Sequence, residues 1–534
     1  RGGLGIGVTV KAALDAAAAQ IGVRFRDRPR AEALARHDLG VTYRLIGDLD
    51  KSVEQFRRAY ELRKKTLGAD DERTVQTGNS LAVVYQAQGL FAEAEPLCID
   101  ALDFGRRVLG EENPSTLGFM NNLASLYESQ SLFTKAEPLY LKALEVSRRI
   151  QGEQHPDTLA FMSNLARLYT DQRRFAEAEP LCVQALEARR RVLGEEHPGT
   201  LNCRYNLARL YLLQVLFAKA EPLLVKTLEA RRRVLGDGHP HTLLTMDTLA
   251  GLYQDQRQFA KAESLFVEAL AGRRCVLGEG HPDTLRTMND LAALYWSVKK
   301  LDRSIPLFEK ALKEHQAKLG PDHPDTLLAM ANLGVNYRDV GRLEEGTALL
   351  EQTWERVRIR PGSLPVILAW IPLALAATYD QSGQFAKAEP LYRAALENAR
   401  KQNGASPTAA GALAQLGLNL LRQTKYAEAE PPLRECLKIR EQTQPDDWTT
   451  FNIKSLLGSS LFGQKKYAEA EPLLRACYEG FHEREDKIPL AGKLLLTETL
   501  ERQVQLYDAT GQKEKAAEWR KKLEARKEAD KKAE

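Results

Sequence analysis

Tyrosine recurs at intervals of 42 residues through most of this chain, at Tyr43, Tyr85, Tyr127, Tyr169, Tyr211, Tyr253, Tyr295, Tyr337 and Tyr379. Eight equal intervals in a row define an array, one supersecondary unit copied end to end. A length of 534 residues would otherwise suggest three or four separate cores. The period replaces them with a stack in which each unit packs on its neighbours, so function is expected on an extended surface and not in a closed active site.

One copy shows what the unit is. In residues 158–194, Leu159, Met162, Leu165, Ala166, Leu168 and Tyr169 recur at helical spacing, and after a polar break Ala178, Leu181, Cys182, Ala185, Leu186 and Val192 do so again. The pattern predicts helix, turn, helix in an all-α fold. Ala166 and its counterparts Ala82, Ala124, Ala208, Ala250, Ala292 and Gly40 let the two helices approach, while the tyrosine fills the gap between neighbours. Pro180, with Pro96, Pro138, Pro222 and Pro390, is expected in the first turn of the second helix, where a missing N–H costs little. In LGEEHPGTL, Leu193 to Leu201, Gly194 suits the end of one helix and Pro198 the first turn of the next.

The order Leu165, Ala166, Tyr169, Ala178, Cys182 and Ala185, matched in the first copy by Leu39, Gly40, Tyr43, Gly47, Phe56 and Ala59, resembles the tetratricopeptide repeat. The period of 42 exceeds the usual one of about 34, and with segments such as AEPLCVQALEARRRVLGEEHP at Ala178 to Pro198 it resembles the kinesin light chain type. The resemblance implies a right-handed superhelical α-solenoid of stacked helix-turn-helix repeats. Residues 1–29 read as a linker and lead-in helix, 30–400 as nine regular repeats, 401–520 as degenerate repeats with a capping helix, and 521–534 as a charged tail. In the degenerate part the spacing shortens to 41, and Leu420 and Leu461 replace the tyrosine.

Composition narrows the class. A net charge of +4, with 28% of residues charged and both signs interspersed, implies no general attraction to nucleic acid. The six cysteines, Cys98, Cys182, Cys203, Cys275, Cys436 and Cys477, form no CxxC pair and no framework of the secreted kind; Cys98 and Cys182 read as buried small hydrophobes. A reducing, cytoplasmic setting is expected. The longest apolar stretch, Leu364 to Ala377, is too short for a membrane span and is interrupted by Pro365 and Pro372. The chain starts at Arg1, and each of its five methionines, Met120, Met162, Met246, Met288 and Met330, lies seven residues before a ladder tyrosine, so a longer parent polypeptide is expected.

Several motifs invite chemistry and are better read as structure. Asp103, Phe104 and Gly105 spell a kinase triplet without the HRD loop or glycine-rich strands it needs, and fall in register with Glu145, Val146 and Ser147 of a helix. His155, His197, His239, His281 and His323 are also spaced by 42, but repeats advance by about 10 Å while zinc ligands converge at about 2 Å. Loop or helix-cap roles are expected for them. The runs Arg189–Arg191, Arg231–Arg233 and Arg273–Arg274 are expected on exposed helix ends, complementing the macrodipole. The methionines read as core, and the opening RGGLGIGV as a linker without phosphate-loop spacing.

In the resembled family the first helix of each pair lines a concave face. Asn122, Asn164, Asn206 and Asn332 recur there five residues before the tyrosine, with Thr248 and Asp290 in intervening copies. Asparagine is a poor interior helix former, and its amide offers both donor and acceptor to the backbone of an extended peptide. Asparagines at this position contact peptides in that family; Arg167 and Arg209, on the same helices, add cations for an acidic ligand side chain. A peptide site is thus expected over residues 120–212, with Asn332 at a further equivalent position; the same amides equally fit hydrogen bonds between repeats. No catalytic residue, metal or cofactor is expected. The functional reading is a scaffold gripping a protein or peptide partner. Val8 to Asp48 also resembles the junction between kinase and repeats in bacterial serine/threonine kinases, so a second reading makes the chain the recruiting or regulatory arm of a kinase or signalling NTPase.

Overall fold

The computed structural model describes residues 10–359, 370–403, 406–484 and 490–533. The opening RGGLGIGV and residues 364–369 of the apolar stretch lie outside them. Among the described residues are 25 α-helices and no strand. They run as consecutive antiparallel pairs, typified by a first helix Pro156–Asp171 and a second helix Phe175–Leu193, then Pro198–Leu213 with Phe217–Leu235 and Pro240–Asp255 with Phe259–Leu277. The chain divides into two compact units, Arg1–Thr287 and Met288–Glu534.

Both turns of the repeat come from local chemistry. Between repeats Gly194, at φ 89°, ends the second helix, His197 caps the next one by accepting the Gly199 N–H on Nδ1 at 3.1 Å, and Pro198 opens it. His155, His239, His281 and His323 make the same cap, which accounts for the histidine spacing. Within the repeat a left-handed residue makes the turn, with the Arg174 N–H returning to the Tyr169 carbonyl at 2.8 Å. Glycine fills that slot at Gly47 and Gly341, but a β-branched Val215 holds φ 60° in another copy, a strained choice.

Two features depart from the sequence expectation. The second helix begins at Phe175, so Pro180 stands beyond the first turn, inside the helix, and removes one internal hydrogen bond. The arginine runs are not uniformly exposed: Arg231 and Arg273 are 1% and 2% exposed, because their helix positions face the next repeat.

Packing bears out the small-residue and methionine readings. Ala166, Ala208 and Met162 are fully buried, and a Cβ on Gly40 would stand 2.9 Å from the Phe56 ring. Five of the cysteines are buried and Cys275 is exposed; burial pushes the Cys98 and Cys182 thiols up to about 12. The Asp103 to Gly105 triplet is helical and buried in part, with Phe104 in the core and Gly105 beneath Phe119.

The tyrosine ladder does more than fill space. Tyr211 donates its hydroxyl to Glu179 of the preceding repeat at 2.7 Å, while Lys219 of its own repeat lies over the ring at 4.9 Å. Tyr337 pairs likewise with Glu309 and Arg342, and Tyr379 with Glu351 and Lys387. For Tyr43 the acceptor is Asp15 on the lead-in helix Val10–Arg24, which thereby stands where a preceding second helix would. Where Leu420 and Leu461 replace the tyrosine, the glutamates Glu389 and Glu430 turn to Lys425 and Lys466 at 2.8 Å, and these contacts hold their carboxyls down to about 2.

Candidate peptide-binding site

In the first unit, successive first helices touch one another directly. Their shared face is lined by Asn121, Asn122 and Ser125 from Pro114–Ser129, Ser163, Asn164 and Arg167 from Pro156–Asp171, Asn202, Tyr205, Asn206 and Arg209 from Pro198–Leu213, and Thr248 from Pro240–Asp255, all half-buried. Hydrogen bonds cross this face from repeat to repeat: Gln86 Nε2 to the Ser125 hydroxyl at 3.0 Å, Asn164 Nδ2 to Asn121 Oδ1 at 2.7 Å, and Tyr205 Oη with Thr248 Oγ1 at 2.9 Å. Asn164 therefore does bond between repeats, through its donor. Asn122 and Asn206 stand on the same face in the flanking helices, whereas Asn332 lies in the second unit, half-exposed on Pro324–Asp339, where its backbone carbonyl accepts from Asn336.

The two arginines are already engaged. Arg167 meets the buried Glu128 of the preceding repeat at 2.7 Å, and Tyr140 donates to the other oxygen of that carboxylate at 2.8 Å. Burial raises the Glu128 pKa and Arg167 opposes the rise. Arg209 meets Asp171 at 2.6 Å. An acidic ligand group would have to share these cations with carboxylates of the joints.

Behind the face stands a set of residues that the helical spacing did not mark. Arg63, Arg231 and Arg273 occupy one register of the second helix, and each donates Nη1 to a backbone carbonyl ten residues on and to a threonine hydroxyl fourteen on: Thr77, Thr245 and Thr287. Arg273 also has Asp247 at 2.5 Å. Arg231 has Asn202 Oδ1 at 2.6 Å and the Tyr205 ring at 5.1 Å in that place, and burial pulls its pKa down to about 10. The 42-residue recurrence of arginine with threonine fourteen residues later was the available signal. In two other joints the same register holds Gly105 with Phe119 and Ser147 with Phe161, apolar on the first-helix side.

A tetratricopeptide repeat model matches residues 30–95, 71–131, 115–181, 157–224, 215–274, 249–313, 283–357 and 367–442. The chain belongs to the tetratricopeptide repeat family, whose arrays typically serve as protein-interaction modules. Similar solved structures include ones of the kinesin light chain type. A protein of Podosopora anserina, described as a kinesin light chain with nearly identical TPR-like repeats, is 25% identical over 39% of this chain and 97% of its own, with a TM-score of 0.34. BtubC (BKLC) from P. vanneervenii is 26% identical over 45% of this chain and 93% of its own, at 0.35. The apo form of RapI is 14% identical over 53% of this chain and 98% of its own, at 0.40. No curated protein matches the sequence. The family match begins at residue 30, inside the Val8 to Asp48 segment that resembles a kinase junction, and the kinase link gains no support from the comparisons. Among the described residues no helix is long and apolar enough to cross a membrane.

Proposed function

We propose that this protein is a non-catalytic scaffold that holds an extended peptide or protein segment in a concave groove formed by its first helices, over residues 120–212. The observation that carries the reading is the half-buried line of amides and hydroxyls, Asn122, Asn164 and Asn206 with Ser125 and Tyr205, on one continuous helical face. Side chains of this kind offer donors and acceptors to a peptide backbone at little cost in desolvated charge. With Arg167 and Arg209 tied to Glu128 and Asp171, backbone recognition by the amides supplies the grip and the arginines set its edges. Asn332 offers the same amide in the second unit.

The test uses a peptide selected on the immobilised protein from a displayed random library. Replacing Asn122, Asn164 and Asn206 together by alanine is expected to weaken that peptide at least about tenfold, the loss of roughly one net hydrogen bond or more, with the helical circular dichroism unchanged. Affinity that stays within twofold of the parent in a folded variant would remove the site from this face.

A further inference from the structure

The five capping histidines are alike in geometry and differ in the side chain two positions after each. In three copies that side chain is an aspartate: the imidazole of His155 stands 3.7 Å from Asp157, that of His281 3.9 Å from Asp283, and that of His323 3.7 Å from Asp325. After His197 stands Gly199, and after His239 a second histidine, His241, with the two rings stacked at 5.4 Å and 27°. The His241 carbonyl accepts from Arg231, a buried guanidinium with no carboxylate in ion-pair contact among the described residues.

We infer that the joint built by Arg231, His239 and His241 is an acid-sensitive seam, which opens as these imidazoles gain protons while the joints capped by His155, His281 and His323 stay closed. The His239 cap uses a bare Nδ1 as acceptor for the His241 N–H, and a proton on that nitrogen ends the bond. Protonation of either ring also adds a cation beside a buried one. The charged groups of the surrounding elements do not relieve this. The last turns of Phe217–Leu235 carry Glu229, Arg231, Arg232 and Arg233; Arg232 holds Asp237 of the loop and Glu268 of Phe259–Leu277, and Arg233, beside Glu229, holds Glu196. On Pro240–Asp255 Asp247 is held by Arg273 of Phe259–Leu277, and Pro198–Leu213 contributes the neutral Asn202 and the Tyr205 phenol. At an aspartate-flanked cap, by contrast, the new imidazolium meets a carboxylate.

Partial burial and Arg231 lower both His239 and His241 below the ordinary 6.5, so the folded joint binds protons more weakly than the unfolded chain. Its stability is complete above about 6.5 and falls as pH drops below that value. The opening lies beside the Tyr205 to Thr248 bond, yet it does not depend on whether the groove binds a peptide.

Hydrogen exchange of the whole protein, corrected for intrinsic rates, tests this at pH 7.5 and 5.5. Amides of 236–255 are expected to open roughly tenfold or more often at the lower pH, while those of 152–171 change little. The substitution His241→Asp, which copies the aspartate-flanked caps, is expected to abolish most of the acid response, and His239→Asn, which copies the Asn113 cap, to reduce it. Equal protection of 236–255 at both pH values, or an undiminished acid response in His241→Asp, would overturn the inference.

Discussion

Arg231 and Arg273 are the same residue in the same register, one repeat apart, and they live in opposite electrostatic circumstances. Arg273 shares its burial with Asp247; Arg231 meets an amide and a phenol ring. Two positions make the difference: Asp247 stands where the other copy has Tyr205, and Leu244 where it has Asn202. Repetition of sequence therefore transmits backbone geometry faithfully while leaving each joint free to set its own charge balance, and it is in these balances that one repeat becomes distinguishable from the next.

Substitutions can break or sharpen this contrast. The largest effect is expected from Arg273→Met, which strands the Asp247 carboxylate, already raised in pKa by its burial: about 3–5 kcal/mol of local stability, read from exchange of the 259–287 amides. Tyr205→Phe removes the hydroxyl bond to Thr248 and is expected to cost about 1 kcal/mol by the same measurement on 198–213 and 240–255. Arg231→Met should cost least, under about 1 kcal/mol, since removing a desolvated cation offsets the lost hydrogen bonds. A loss from Arg231→Met as large as that from Arg273→Met would show that the two joints are equivalent after all. Exchange is the appropriate readout because arrays of this kind open segment by segment.

How far the sequence could be read depended on the kind of force involved. Apolar spacing placed Met162, Leu165, Ala166 and Tyr169 correctly because burial of a helix face is a local, periodic demand. Gly194, His197 and Pro198 were legible as a junction for a similar reason, their roles being fixed by backbone chemistry within a few residues. Pro180 was misplaced by a turn, since where a helix starts depends on the preceding turn more than on the proline. Arg231 was read as exposed because charge ordinarily marks a surface, and only the packing of the next repeat reverses that. Likewise Arg167 was visible as a cation on the right helix, but its partner Glu128 lies 39 residues away, in a relation that helical periodicity does not encode.

The bond from Tyr127, Tyr169, Tyr211 and Tyr253 to a glutamate of the preceding second helix has a consequence for inheritance. Tyr211 reaches back 32 residues to Glu179 and its cation Lys219 lies eight ahead, so donor, acceptor and cation fall within 42 residues of chain. The acid lies 32 residues back for each of these four tyrosines, so a tandem duplication of a 42-residue stretch within residues 95–253 preserves that spacing at its new boundary. This part of the array can thus be lengthened or shortened by a single recombination event with the tyrosine–glutamate contact already formed, which makes length a variable that can change by whole steps without a new pair having to be selected.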